Sequence, residues 1–536
     1  MLGHIVGRPS SGWDRLQVTL VLLGSYVALR KMPAHGPSAF VQELSKRLGV
    51  KYTPWQIVIA AFSLLYIFRQ GDLILGLNVA EGDDKVYARR HSKSFTRAMW
   101  VLNAMDAAFF TAQPIRPAFL RHSLSTLFIV YYLMFPARAT AKNRTVRAHI
   151  NAMQMRASWE KNQHPVLRFL QWLEEPRLGH VRHLTLRRSV AEFGDHADQQ
   201  ESKVWIYFAG TTQQLEDQEC LILDIPGGGF VTMGPVHHSD YLKLWASKTG
   251  YPVVSLEYGK APEHPYPYGL NECFDIYRRI VSTKGRCVGL SGKKMPRIVL
   301  VGDSAGANFI VSIMVKILEA AEPLPRPVGL VCIYPCMDVD YYLWLRPDQL
   351  ALIEEELEPG QAVATHHRKR PGHGDGPLIS SRVCYFDDPI ICPEFARAMA
   401  IMYTGSDTKF ALQDQYETSP IRTPDHLLQQ FPPVFIMTGQ KDPLVDDSLV
   451  FMARLKRARR EAKESDDHDH HHHQSGNMIY LRQDKLRIIQ DVSHGFLHFM
   501  ALMPDIRDAI AVLGEQLKDM LQEPILASEG VPSSDG

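Results

Sequence analysis

The run Ile298-Val299-Leu300-Val301-Gly302-Asp303-Ser304-Ala305-Gly306-Ala307-Asn308 decides how the rest of the chain is read. Its first four residues are apolar and mostly β-branched, the pattern of a short buried strand. After the turn, Phe309, Ile310, Ile313, Met314, Ile317 and Leu318 recur at helical spacing over 307–320. Between the two, Gly302-Asp303-Ser304-Ala305-Gly306 has the G-x-S-x-G pattern of a nucleophile elbow in the setting that pattern requires. A turn this tight leaves no room for side chains two positions either side of Ser304. It lifts the hydroxyl above the sheet edge, beside a helix N-terminus whose dipole favours developing negative charge.

Working outward, short apolar runs at 183–188, 204–208, 220–225, 253–256, 330–334, 434–438 and 486–489 read as further strands, with helical patterns at 239–247 and 269–281 between some of them. Strands alternating with helices predict an α/β fold: a mostly parallel central sheet with helices on both faces.

Upstream of the elbow, Pro226-Gly227-Gly228-Gly229-Phe230 follows the strand at 220–225. Consecutive glycines let main-chain N–H groups approach a developing oxyanion closely, so Gly228, Gly229 and the N–H of Ala305 are the expected oxyanion-hole donors. A serine nucleophile also needs a base, and the base needs a carboxylate to orient it. In elbow enzymes the chain order is Ser, then Asp or Glu, then His. Asp442 follows the strand at 434–438 and His494 follows the strand at 486–489. Asp446 and Asp447 compete with Asp442 but fall on the expected next helix, and His498 lies one turn beyond His494. The expected triad is therefore Ser304, Asp442 and His494.

These blocks, taken in order, resemble the hormone-sensitive-lipase family of α/β-hydrolases, of the fungal type. The resemblance rests on Leu221-Ile222-Leu223-Asp224-Ile225-Pro226-Gly227-Gly228-Gly229-Phe230 and on Glu257-Tyr258-Gly259-Lys260-Ala261-Pro262-Glu263-His264-Pro265-Tyr266-Pro267. It continues through 302–308, Ser419-Pro420-Ile421, Pro432-Pro433, Asp442-Pro443-Leu444 and His494-Gly495-Phe496, covering about residues 180–520. It implies the same triad and the same oxyanion donors. There are two departures: Pro226 stands where the family's glycine block begins with His, and Tyr258-Gly259-Lys260-Ala261-Pro262-Glu263 stands where the family has Tyr-Arg-Leu-Ala-Pro-Glu. The resemblance further implies a helical cap over the site, and a lid-side segment running from Ser380-Ser381-Arg382 through Asp387-Asp388 to Tyr403.

The expected organisation is an apolar helical region at 1–120, a helical cap at 121–180, hydrolase core at 181–338 and 426–525 with an insertion and lid-side segment at 339–425 between them, and a tail at 526–536. Residues 339–377 are polar and turn-rich, and 464–476 (ESDDHDHHHHQSG) reads as a solvated low-complexity insertion rather than a metal site.

Apolar stretches at 16–29, 55–68 and 124–135 fall short of the roughly 20 residues that span a bilayer, but the last carries a basic flank of Arg138, Lys142, Arg144 and Arg147. They suit either buried helices or attachment to a membrane. Asn143-Arg144-Thr145 matches a glycosylation triplet, a pattern common by chance.

A net charge of +1 argues against a nucleic-acid partner, and an apolar content of 45% excludes wholesale disorder. Seven cysteines, an odd number at irregular spacing, form neither a disulfide framework nor a zinc motif and point to a reducing compartment. The reading that follows is a serine carboxylic-ester hydrolase acting on hydrophobic esters such as acylglycerols or sterol esters, without metal or organic cofactor. It is expected to be intracellular at an endoplasmic-reticulum or lipid-droplet surface, or else cytoplasmic. The alternative is a non-catalytic lipophilic-ligand-binding protein on the same fold.

Overall fold

In a computed structural model, the described residues are 11–49, 51–69, 92–147, 151–160, 175–187, 201–339, 381–405, 416–469 and 484–523, save 386, 387, 389, 501 and 504, together with 164, 165 and 168. Most of the expected polar loop at 339–377 and the residues 470–476 of the His-rich tract lie outside them.

Among the described residues, eight strands form one sheet: β1 (His180–Arg187), β2 (Glu201–Phe208), β3 (Cys220–Ile225), β4 (Val253–Glu257), β5 (Arg297–Asp303), β6 (Gly329–Ile333), β7 (Val434–Gly439) and β8 (Lys485–Ile489). Their spatial order is β1-β2-β4-β3-β5-β6-β7-β8. β2 pairs antiparallel with both β1 and β4, and every other pairing is parallel. The central strands β3, β5, β6 and β7 are buried along almost their whole length, which is why they read as continuous apolar runs rather than alternating ones.

Two apolar layers cover this sheet. On one face lie α9 (Tyr268–Ser282), α10 (Ala305–Leu318) and α12 (Val445–Asp469), with Phe309, Ile313, Phe451 and Leu455 in the core. On the other lie α8 (Pro235–Thr249) and α13 (Ile506–Gln522), joined through Trp245, Ile510 and Leu513. α12 runs on to Asp469, so the first residues of the acidic, His-rich tract extend a helix instead of opening a loop. The run Arg460-Glu461-Ala462-Lys463-Glu464 leading into it is made of good helix formers.

The chain divides into two compact units, 1–90 and 91–536. The first contains α1 (Ser11–Lys31), α2 (Ala39–Leu48) and α3 (Pro54–Arg69). In the second, α4 (Lys93–Ala112), α5 (Ala118–Met134), α6 (Pro136–Arg147) and α7 (Ala152–Glu160) precede the sheet. Sequence reading drew a boundary at residue 120, whereas α4 packs with α5 and α6 and belongs with the helices that follow it.

Asn143 lies on α6, 5% exposed, and its Nδ2 donates to the Asn103 carbonyl and to Asn103 Oδ1, so the atom a glycan would use is engaged inside the protein. No helix among the described residues is long and apolar enough to cross a membrane by itself.

One buried ion pair ties α12 to the sheet. Arg459 Nη1 lies 2.9 Å from Asp484 Oδ2 with both side chains fully buried, and Arg459 also donates to the Phe431 and Pro432 carbonyls. Removing one partner leaves an uncompensated buried charge, so Arg459→Ala is expected to cost about 3–5 kcal/mol, read as a lowered midpoint in urea unfolding.

Candidate active site

β5 ends at Asp303, and Ser304 is the residue between it and α10. Ser304 has φ +51°, a conformation L-residues avoid, held at a cost of about 1–3 kcal/mol by its surroundings. The two flanking glycines are needed for space. A Cβ on Gly306 would lie 1.8 Å from the Ile225 carbonyl oxygen, and one on Gly302 would lie 2.5 Å from the Gly306 backbone. The Ser304 N–H donates to the Ile333 carbonyl on β6 (2.9 Å), which locks the elbow to the neighbouring strand.

The loops after β7 and β8 bring the other two expected residues to this point. His494 Nε2 lies 2.9 Å from Ser304 Oγ. On the other side of the ring, Nδ1 lies 2.9 and 3.1 Å from the two carboxylate oxygens of Asp442. With Nδ1–H donating to Asp442, Nε2 is free to accept the serine proton. Asp442 is fully buried and His494 is 5% exposed. Burial alone would depress the imidazole pKa, but the Asp442 carboxylate outweighs it, with smaller help from Asp388 and Asp303, and holds His494 above its ordinary value.

The competing residues lie elsewhere. Asp447 pairs with Arg382 at 2.8 Å, Asp446 accepts the Ser381 N–H, and His498 faces Asp303 at 3.5 Å.

The glycine block lies against the elbow because β3 and β5 are paired, with Ile225 opposite Gly302. Gly228, Gly229 and Ser304 line one cavity. Among the described residues the Gly228 and Gly229 N–H groups have no hydrogen-bond partner. Ala305 is the first residue of α10, where helix amides lack an intrahelical acceptor. All six residues singled out from the sequence thus meet at one edge of the sheet.

Both departures from the family pattern converge on Tyr258. Its hydroxyl donates to the Pro226 carbonyl (2.9 Å), and its ring lies 3.1 Å from Lys260 Nζ.

Beneath the elbow is a network the sequence did not reveal. Asp303 Oδ1 accepts the Gly227 N–H (2.8 Å) and lies 3.0 Å from His238 Nε2. His238 Nδ1 lies 2.9 Å from the Gly234 carbonyl, so this nitrogen must donate there, and a proton on Nε2 as well makes the ring a cation. Burial opposes charge on both groups, yet each partner offsets it: His238 is raised above, and Asp303 held well below, its ordinary pKa. His498, on the other side of Asp303, is instead depressed by burial. No spacing rule in the sequence connects these three residues.

The cavity measures about 500 Å³, and helices α4, α6 and α7 roof it. Its walls are largely apolar, with Met99, Leu102, Phe110, Phe395, Met399 and Phe499 among them. Sequence reading placed the cap at 121–180, but α4, over 93–112, also supplies wall residues. Its N-terminus is fastened to the histidine loop: the Ser92 N–H donates to the Asp491 carbonyl, and Phe95 meets Phe499 edge to face. At the other end of the cap, Arg156 on α7 donates to the Val231 and Ala261 carbonyls at 2.9 and 2.8 Å.

Comparison with known proteins agrees with this fold. A family profile described as alpha/beta hydrolase fold matches residues 222–366 and 376–474. Hormone-sensitive lipase from Bos taurus is 39% identical over 123 residues, and the human protein of that name 38% identical over the same length. This region belongs to the hormone-sensitive-lipase family of α/β-hydrolases. An esterase of Acinetobacter venetianus is 31% identical over 119 residues.

The match covers 23% of this chain and 16% of the cattle lipase, so the kinship lies in the hydrolase region and not along the whole of either protein. The hyperthermophilic esterase of the archaeon Pyrobaculum calidifontis superposes with a TM-score of 0.50 at 19% identity, over 69% of this chain and 92% of that one. At that identity the likeness speaks for the fold alone.

Proposed function

We propose that the protein is a serine carboxylic-ester hydrolase. The observation that carries this reading is the unbroken chain from Asp442 through His494 to Ser304, with separations of 2.9 Å on both sides of the ring, at the floor of an apolar cavity. Ser304 Oγ attacks the ester carbonyl carbon as His494 Nε2 takes its proton. The oxyanion is received by the Gly228, Gly229 and Ala305 N–H groups. The imidazolium then returns its proton to the departing alcohol, leaving an acyl group on Ser304. A water molecule, deprotonated by the same nitrogen, releases the acid and restores the serine. Asp442 stays ionised throughout, orienting the ring and balancing its charge. A lipophilic-ligand-binding protein would have no use for this hydrogen-bonded chain.

The cavity's volume lies within the usual range for small-molecule sites, and its Met, Leu and Phe lining favours a hydrophobic acyl or alcohol part, as in acylglycerols or sterol esters. Attachment to an intracellular membrane or lipid droplet through residues 1–140 accords with exposed apolar side chains on helices of that region, such as Leu23 on α1, Phe62 on α3 and Phe119 on α5.

Ser304→Ala is expected to reduce hydrolysis of p-nitrophenyl esters by at least about 10³-fold while leaving circular dichroism unchanged. Wild-type turnover in that variant would refute the triad. Because His494 must be neutral to accept the serine proton and its pKa is raised, kcat/KM is expected to fall on acidification with a midpoint above pH ~6.5. A profile flat down to pH 5 would contradict the role given to His494. In cell extracts the protein is expected in the membrane or lipid-droplet fraction, and recovery wholly in the soluble fraction at low salt would count against attachment.

A further inference from the structure

Residues 381–404 belong to none of the eight strands, yet they touch each of the loops that assemble the site. At the acid loop, the Ser381 N–H donates to Asp446 Oδ2 (2.8 Å), Ser381 Oγ donates to the Pro443 carbonyl (2.6 Å), and Arg382 pairs with Asp447 (2.8 Å). Pro443 directly follows Asp442.

At the histidine loop, the Ser493 hydroxyl donates to Asp388 Oδ2, and Ser493 directly precedes His494. At the oxyanion loop, α11 (Pro393–Thr404) stacks Tyr403 on Phe230, with ring centroids 3.8 Å apart and planes 8° from parallel. Met399 from the same helix packs so closely on Gly229 that a Cβ there would lie 1.9 Å from its sulfur. One segment thus reaches the acid, the base and the oxyanion donors.

Asp388 is the charged centre of that segment. It is 3% exposed, its Oδ1 accepts the N–H groups of Ile390 and Ile391 at 2.9 and 2.8 Å, and those two residues form part of the cavity wall. We propose that Asp388 is a positioning residue for the reaction. It fastens this segment to the histidine loop and adds a second carboxylate to the field that stabilises the imidazolium formed when His494 takes the serine proton. This rests on the ester-hydrolase reading of the same site.

The groups that set the charge on His494 are Asp442 from the loop after β7, Asp388 from this segment and Asp303 from the end of β5, with the Tyr334 ring packed edge-on against the imidazole. Asp388 in turn faces the two backbone amides, Asp442 and His494. Burial pushes its carboxyl up to about 7, against the pull of those amides, so its charge changes in the range where a serine hydrolase works. When ionised it favours the imidazolium. Below that pH it is neutral, and His494 is left with less support for its charge.

The test uses the full-length chain with 13C-labelled histidine, following the His494 resonance (identified by its loss in His494→Ala) against pH, alongside kcat/KM profiles for a p-nitrophenyl ester. Asp388→Asn keeps a side chain that can accept from both amides but removes the charge. It is expected to lower the His494 midpoint by about half a pH unit or more, and the acid limb of kcat/KM should move down with it. Ser493→Ala withdraws the hydroxyl donor from Asp388, which favours the neutral carboxyl, and is expected to shift the midpoint in the same direction by less.

A residue that only stabilised the fold would lower unfolding midpoints without moving the His494 titration. Unchanged His494 midpoints in both variants would overturn the proposal. Absence of esterase activity in the wild-type protein would instead sink the ester-hydrolase reading, while the resonance, which needs no turnover, still decides whether Asp388 acts on His494.

Discussion

The site depends on a crossing of two backbones at the sheet edge. The first turn of α10 passes so near the end of β3 that only a hydrogen at Gly306 clears the Ile225 carbonyl. This approach brings the start of the glycine block against the elbow, so the proposed oxyanion donors and the proposed nucleophile are set by the same contact. Because main chain meets main chain there, no rotamer change can relieve an added side chain. The strained φ of Ser304 is sustained by the same crowding, with the Ile333 carbonyl taking its N–H on the far side.

Charge is distributed around this crossing in two buried layers. Below the elbow, Asp303 and His238 face each other at 3.0 Å and each favours the other's charged form, while the Asp303 carboxylate also holds the Gly227 N–H. Above it, Asp442 and Asp388 bias His494 toward the protonated form. An isolated charge at this depth would be too costly to retain, so each carboxylate is paired or hydrogen-bonded. The ring of His498 completes the lower layer and forms part of the cavity floor. The position where the family's glycine block has His is filled by Pro226, whose carbonyl is secured from the side by Tyr258.

The additions to the hydrolase core have separate mechanical roles. Helices α4, α6 and α7 roof the cavity, and the cap is pinned at one end to the histidine loop through Ser92 and Phe95 and at the other to the oxyanion loop through Arg156. The segment around Asp388 ties the same loops together from the far wall. The cavity walls are therefore also the supports of the proposed reacting groups, so a change in cavity shape bears directly on their alignment.

Much of this was legible in the chain because local chemistry demands it. Buried parallel strands must be apolar along their length, a tight strand-to-helix turn must have glycines around the serine, and the acid and base must follow strands in a set order. Ser304, Asp442, His494 and the glycine donors could be named on those grounds alone. The cap was placed too late in the chain, since α4 carries a helical pattern that says nothing about where it docks. His238, His498 and Asp388 are single polar residues without a spacing rule, and they acquire meaning only from what they face across the fold. The sequence by itself determined the proposed reacting groups and the sheet that brings them together. Only the tertiary structure decided which buried charges surround them, because the energy of a buried charge depends on partners far away in the chain and a few ångströms away in space.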